Sequence, residues 1–77
     1  PAFSQYSRDN LMIYTVRTEN YRYMQWRDMK QHYKLVAEEL YNLNYLSPET
    51  ENIAGDPEHK DALDRGRKLV KDNFKIN

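Results

Sequence analysis

Residues 21–27, Tyr21-Arg22-Tyr23-Met24-Gln25-Trp26-Arg27, interleave rings with cations. On a strand, that pattern can stack nucleic-acid bases while guanidinium groups hold phosphates. The whole chain weakens this reading. It has 12 basic and 12 acidic residues, so no basic excess draws it to nucleic acid or an anionic membrane. Aromatic residues on strands are more often core. His32 and His59 stand far apart with no metal-ligand spacing around them, and read as surface or helix-end histidines. Glu38, Glu39, Glu49, Glu51 and Asp56 are carboxylates of the kind that bind calcium. No EF-hand spacing joins them, and a solvated loop explains them better. Cys is absent, which removes thiolate chemistry and disulfides. Two Gly cannot build a phosphate loop, and no Ser sits in a nucleophile elbow. No catalytic constellation emerges.

The elements that would carry these side chains follow from length and patterning. A chain of 77 residues makes one small domain at most. Leu, Ile, Val and Phe total 15, near the level where disorder begins, but zero net charge, seven Tyr and one Trp favour an ordered chain short of aliphatics. Such a chain is suited to packing on something larger. No apolar run approaches the ~18 residues of a membrane span. No signal peptide is visible.

Residues 11–26, LMIYTVRTENYRYMQW, predict a β-hairpin. Thr18-Glu19-Asn20 would close a three-residue loop with Asn20 in the left-handed region. That register sets Arg17 opposite Tyr21 and Tyr14 opposite Met24. Met12, Tyr14, Val16, Met24 and Trp26 would then share one face, and Ile13, Thr15, Arg17, Tyr21, Tyr23 and Arg27 the other. A two-residue loop would oppose Arg17 to Arg22, which like charges disfavour.

Elsewhere, residues 2–6 read as a short strand, 7–10 as a turn, 27–34 as a polar connection and 39–43 as a further strand. Residues 44–55 carry Pro, Ser, Asn and Gly and read as a loop. Asp56-Pro57-Glu58 is a helix start: a cap, a residue needing no amide donor, and a negative charge at the positive end of the dipole. Ala62, Leu63, Gly66, Leu69, Val70 and Phe74 then recur at helical spacing. The expected fold is α+β, a small antiparallel sheet of about four strands packed against one C-terminal α-helix. Trp26, Met24 and Tyr14 would meet Leu63, Val70 and Phe74.

Four stretches, in order, carry a family resemblance. Ala2-Phe3-Ser4-Gln5-Tyr6-Ser7-Arg8 resembles a segment ending S-Q-Y-P-R in the iduronate-2-sulfatase group. Ile13-Tyr14-Thr15-Val16-Arg17-Thr18, then Tyr21-Arg22-Tyr23 and Trp26-Arg27-Asp28, resembles its G-Y-S-I-R-T hairpin and R-Y-R-Y-T-x-W return strand. Glu39-Leu40-Tyr41-Asn42-Leu43 resembles E-L-Y-D-L. Pro48-Glu49-Thr50-Glu51-Asn52-Ile53-Ala54 resembles D-P-x-E-T-x-N-L-A, which leads into the last helix. Ile13 replaces the usual Gly, Ser7 the usual Pro, and Tyr45-Leu46-Ser47 the acidic residue before Pro48.

The resemblance covers nearly all of residues 1–77 and implies the C-terminal subdomain of a sulfatase, of the iduronate-2-sulfatase or 2-O-sulfatase group. It implies a missing catalytic domain as partner, with formylglycine as nucleophile, a calcium site, and a sulfated saccharide substrate. No cofactor is expected in this chain. A periplasmic, secreted or lysosomal setting would follow. The S-Q-Y-x-R segment would lie beside the substrate cleft, making Gln5, Tyr6 and Arg8 substrate-contact candidates, with Arg27 a further one. An Arg fork can hold sulfate or carboxylate through two hydrogen bonds. The competing class is an independent interaction module using a sheet edge or the Tyr-rich face. In isolation the chain is expected to be marginal or self-associating, because the face with Ile13, Tyr21 and Tyr23 would lack its cover.

Overall fold

β-branched and aromatic residues are more frequent in the first 42 positions than in the rest of the chain, and those positions form strands. The computed structural model describes residues 1–43 and 52–74. β1 (Ala2–Arg8), β2 (Leu11–Arg17), β3 (Tyr21–Asp28) and β4 (Lys34–Asn42) make one antiparallel sheet in the order β1-β2-β3-β4. A 3-10 turn, Met29–Gln31, joins β3 to β4. A second 3-10 turn, Pro57–His59, runs into the helix α1 (Lys60–Phe74). The fold is α+β, as expected. Among the described residues no helix is long and apolar enough to cross a membrane.

The strands outrun the expected bounds. β1 continues through Ser7 and Arg8, so the turn is only Asp9 and Asn10, with Asp9 left-handed at φ 55°. The polar connection expected over 27–34 shrinks, because Arg27 and Asp28 extend β3 and Lys34 begins β4. β4 starts five residues before the expected Glu39 and stops at Asn42 rather than Leu43. Val36 is the extra residue where the β3–β4 register shifts. Most of the loop expected over 44–55, with Glu49 and Glu51, lies outside the described residues. Its end does not behave as a solvated loop: Ile53 is buried.

The hairpin register differs from the expected one. Arg17 pairs with Arg22, and Tyr14 with Gln25. The loop has two residues, Glu19 and Asn20. It is closed by Thr18 N–H donating to Tyr21 O at 2.8 Å and Tyr21 N–H donating to Thr18 Oγ1 at 3.1 Å. Asn20 is not left-handed, since Asp9, His32 and Tyr33 are the described non-glycine residues with positive φ. The opposed guanidinium groups cost only a fraction of a kcal/mol up to about 1. Arg22 also lies over the Tyr41 ring at 5.2 Å, a favourable cation–π contact.

One residue of register reverses the faces. Tyr23 and Gln25, not Met24 and Trp26, join Tyr14 and Val16 on the helix side. Phe3, Val16, Tyr23 and Leu40 form one row across the sheet. Leu63, Val70 and Ile53 complete the buried core, with Met12, Tyr21, Leu69 and Phe74 packed around it. Of the three sheet residues expected against the helix, Tyr14 is there, 4.9 Å from the Phe74 ring centroid. Trp26 and Met24 lie on the opposite face, in rows with Ile13 and Thr15. Tyr21 and Tyr23, expected on that opposite face, lie on the helix side. Ile13 remains where expected and is buried between its row neighbours Tyr6 and Trp26.

The helix obeys its local signals. Asp56 Oδ1 accepts from Glu58 N–H at 2.9 Å, and Pro57 takes a position that needs no donor. Leu63, Gly66 and Val70 face the sheet. A Cβ at Gly66 would sit 2.6 Å from Tyr23 Cγ, so glycine is what lets α1 approach so closely.

Candidate functional site

Turn chemistry gathers exposed cations at one end of the sheet. Arg8, Leu11, Asp28 and Lys34 form its last row. Asp28 caps the adjoining 3-10 turn, accepting from Lys30 N–H and from Gln31 Nε2, each at 2.9 Å. Met29 N–H donates to Asn10 O at 2.8 Å and ties the two turns together. Asp9, His32 and Tyr33 are all left-handed here, with φ of 55°, 57° and 60°. Such conformations cost about 1–3 kcal/mol each for side chains of this size, and they persist only where surroundings hold them. Tyr33 is held by Arg27, whose Nη1 donates to Tyr33 O at 2.9 Å, and by its own N–H, which donates to Asp28 O at 2.9 Å. Arg8, Lys30, His32 and Lys34 are exposed beside these turns.

The four residues singled out as substrate contacts divide. Gln5, Tyr6 and Arg8 are exposed on β1. Strand alternation puts Gln5 on the helix side and Tyr6 and Arg8 on the other. Arg27 is on the helix side, and its Nε donates to Gln25 Oε1 at 2.5 Å. Arg27 therefore serves the interior of this unit, while Arg8 presents its guanidinium outward, where it can take an oxyanion.

A polar chain runs beneath the helix. Arg67 forks onto Glu38, with Nε on Oε2 and Nη2 on Oε1, each at 2.6 Å. Tyr23 OH donates to Glu38 Oε2 at 2.5 Å, and Gln25 Nε2 donates to Tyr23 OH at 2.8 Å. The Arg67 fork, aided by the Tyr23 donor, holds the Glu38 carboxyl below its ordinary range against the opposing effect of burial. Burial first, then the Glu38 carboxylate, pushes the Tyr23 phenol up, so it stays a donor. Gln25 is only 1 % exposed, yet both ends of its amide are bonded.

At the other end of the sheet, a cavity of about 280 Å³ opens between the hairpin tip and the start of α1. Val16, Tyr23, Leu40 and Ala62 line it, with Tyr21 and His59 among its polar walls. Tyr21 OH and His59 Nδ1 are 3.1 Å apart. Asp56, Glu58 and His59 bring ligand-type atoms within 4.8 Å of one another. Asp56 is already engaged as the helix cap and His59 with Tyr21. The arrangement offers anion contact at the Arg8 end and an amphipathic pocket at the His59 end.

No protein-family model matches the chain, and no curated protein matches it.

Sequence reasoning missed the Glu38–Arg67 fork and the role of Gln25. Glu38 and Arg67 are separated by 29 positions, so no local spacing joins them. The one signal for Gln25 was a lone amide within an aromatic strand. His32 is exposed and His59 sits at the helix start, in keeping with a surface and a helix-end histidine.

Proposed function

We propose that this chain is the C-terminal structural subdomain of a sulfatase, of the iduronate-2-sulfatase or 2-O-sulfatase kind, whose parent hydrolyses sulfate esters on sugars. One observation carries the reading: the resembling stretches coincide, in order, with successive elements. The S-Q-Y-S-R stretch ends β1, the I-Y-T-V-R-T and Y-R-Y…W-R-D stretches are β2 and β3, and E-L-Y-N ends β4. Asn52-Ile53-Ala54, the described end of the last stretch, leads to the capped start of α1.

In this reading the sheet face away from α1, with Tyr6, Ile13, Met24 and Trp26, rests on the catalytic domain. Gln5, Tyr6 and Arg8 border the cleft, and Arg27 braces the adjoining turn. Formylglycine and calcium belong to the catalytic domain, where they supply the nucleophile for sulfur and the charge that offsets the sulfate. The chain's own contribution is positional. The edge of β1, uncovered among the described residues, favours the competing reading, an interaction module that works without that domain.

The test reads the gene and the enzyme together. The reading expects an upstream sequence in frame that encodes C-x-P-x-R or S-x-P-x-R, and a full-length product that cleaves a chromogenic sulfate ester while the 77-residue chain does not. A start codon directly before Pro1 with no upstream frame, or turnover by the chain alone, would overturn it.

A further inference from the structure

The sheet has two edges, and the chain treats them differently. On the outer edge of β4, Leu40 N–H donates to Asn52 Oδ1 at 3.0 Å, and Ile53 N–H donates to Leu40 O at 2.8 Å. Asn52 Nδ2 also donates to Glu38 O, at 3.3 Å. An amide side chain and one returning residue thus occupy that edge at Glu38 and Leu40. β1 has no such cover among the described residues, and all seven of its residues are exposed. It lacks the usual protections of an edge strand. It contains no Pro or Lys, its pairing with β2 has no bulge, and its single charge, Arg8, is at its end.

We propose that the free edge of β1 is a self-pairing surface, on which a second copy of this chain adds its own β1 antiparallel about a twofold axis at Gln5. That register pairs every residue of the strand. Ala2 faces the second copy's Arg8, Phe3 its Ser7, Ser4 its Tyr6, and Gln5 its Gln5. No charge meets a like charge. Each aromatic residue meets a serine, small against large, on both faces of the sheet. Phe3 and Tyr6 are 37 % and 53 % exposed, so both have surface to lose. Phe3 already stands edge-on to Phe74, ring centroids 5.9 Å apart, and this rim contact would move inward. Paired residues of one parity keep both helices on the same side, so the product is a continuous eight-stranded sheet. The twofold uses the β1 edge of both copies, so assembly through that edge stops at two. A single strand per copy makes a small interface, so association belongs in the weak range of complexes. This inference concerns the 77-residue chain itself and does not depend on the sulfatase reading.

Sedimentation equilibrium of the chain, from micromolar to millimolar, tests it. A reversible monomer–dimer equilibrium is expected. Q5K or Q5E alone places like charges on the axis and should abolish the dimer, while circular dichroism and the melting midpoint, read at concentrations where the wild type is monomeric, stay unchanged because Gln5 is exposed. Mixing the two variants should restore a heterodimer. A wild-type chain that stays monomeric, dimers indifferent to Q5K, a mixture no better than its parts, or growth beyond the dimer would each overturn the proposal.

Discussion

Gly66 lies against the ring of Tyr23 so closely that a Cβ would fall 2.6 Å from Cγ, 2.8 Å from Cβ and 2.9 Å from Cδ2. The ring cannot swing aside, because its hydroxyl is held by both Glu38 and Gln25. Gly66→Ala should therefore destabilise the fold by about 1–3 kcal/mol, as overpacking does. Helix propensity alone favours Ala by about 1 kcal/mol. Urea denaturation decides between them: a gain in stability would mean that the helix shifts outward at little cost.

Glu38 makes stability depend on acid. Its folded pKa is lowered, chiefly by the Arg67 fork. Such a group contributes above the ordinary carboxylate pKa, near 4.3, and its contribution is lost as pH falls through the depressed folded value. Denaturation midpoints should thus decline below about pH 4. Glu38→Gln should cost about 1–3 kcal/mol at neutral pH, the scale of a hydrogen bond to a charged group, and should flatten that acid slope. An unchanged slope in the variant would place the acid sensitivity in other carboxylates.

Asp56 holds the first free amide of the last helical segment. Asp56→Ala should lower stability by about 1 kcal/mol, while Asp56→Asn or Asp56→Ser should retain most of it. An unaltered melting midpoint with intact helix by circular dichroism would locate the cap elsewhere.

Arg8 separates a cleft role from a structural one. On the proposed sulfatase reading, Arg8→Lys in the full-length parent should raise KM or lower kcat on a sulfated saccharide, with little effect on a small aryl sulfate, because Lys cannot form the two parallel bonds of the fork. Equal losses on both substrates, or a fall in melting temperature with kinetics intact, would make Arg8 a residue that braces the fold.

Strand content, the helix and its cap were legible because their signals are local. Asp56-Pro57-Glu58 announces a start, and Leu63, Gly66 and Val70 return to one side every three or four residues. The hairpin register was not legible. Two loop lengths differ by one residue, and the local term, Arg17 against Arg22, points away from the observed pairing. The compensating contacts are distant in sequence: Tyr41 beneath Arg22, Glu38 beside Tyr23, and Gly66 making room for that ring. The candidate site suffered in the same way. Arg27 reads as a substrate-contact candidate until its bonds to Gln25 and Tyr33 are seen.

The strand order β1-β2-β3-β4 governs how quickly this sheet can assemble. Each strand pairs with its neighbour in the chain, and the first two connections are two and three residues long. Closing such short loops sacrifices little chain entropy, and isolated hairpins form within about 1–10 μs. Docking of α1 is the long-range event, since it must bring Arg67 to Glu38 across 29 positions. The meander is therefore expected to zip up from either hairpin, with closure of the helix over Tyr23 the later event.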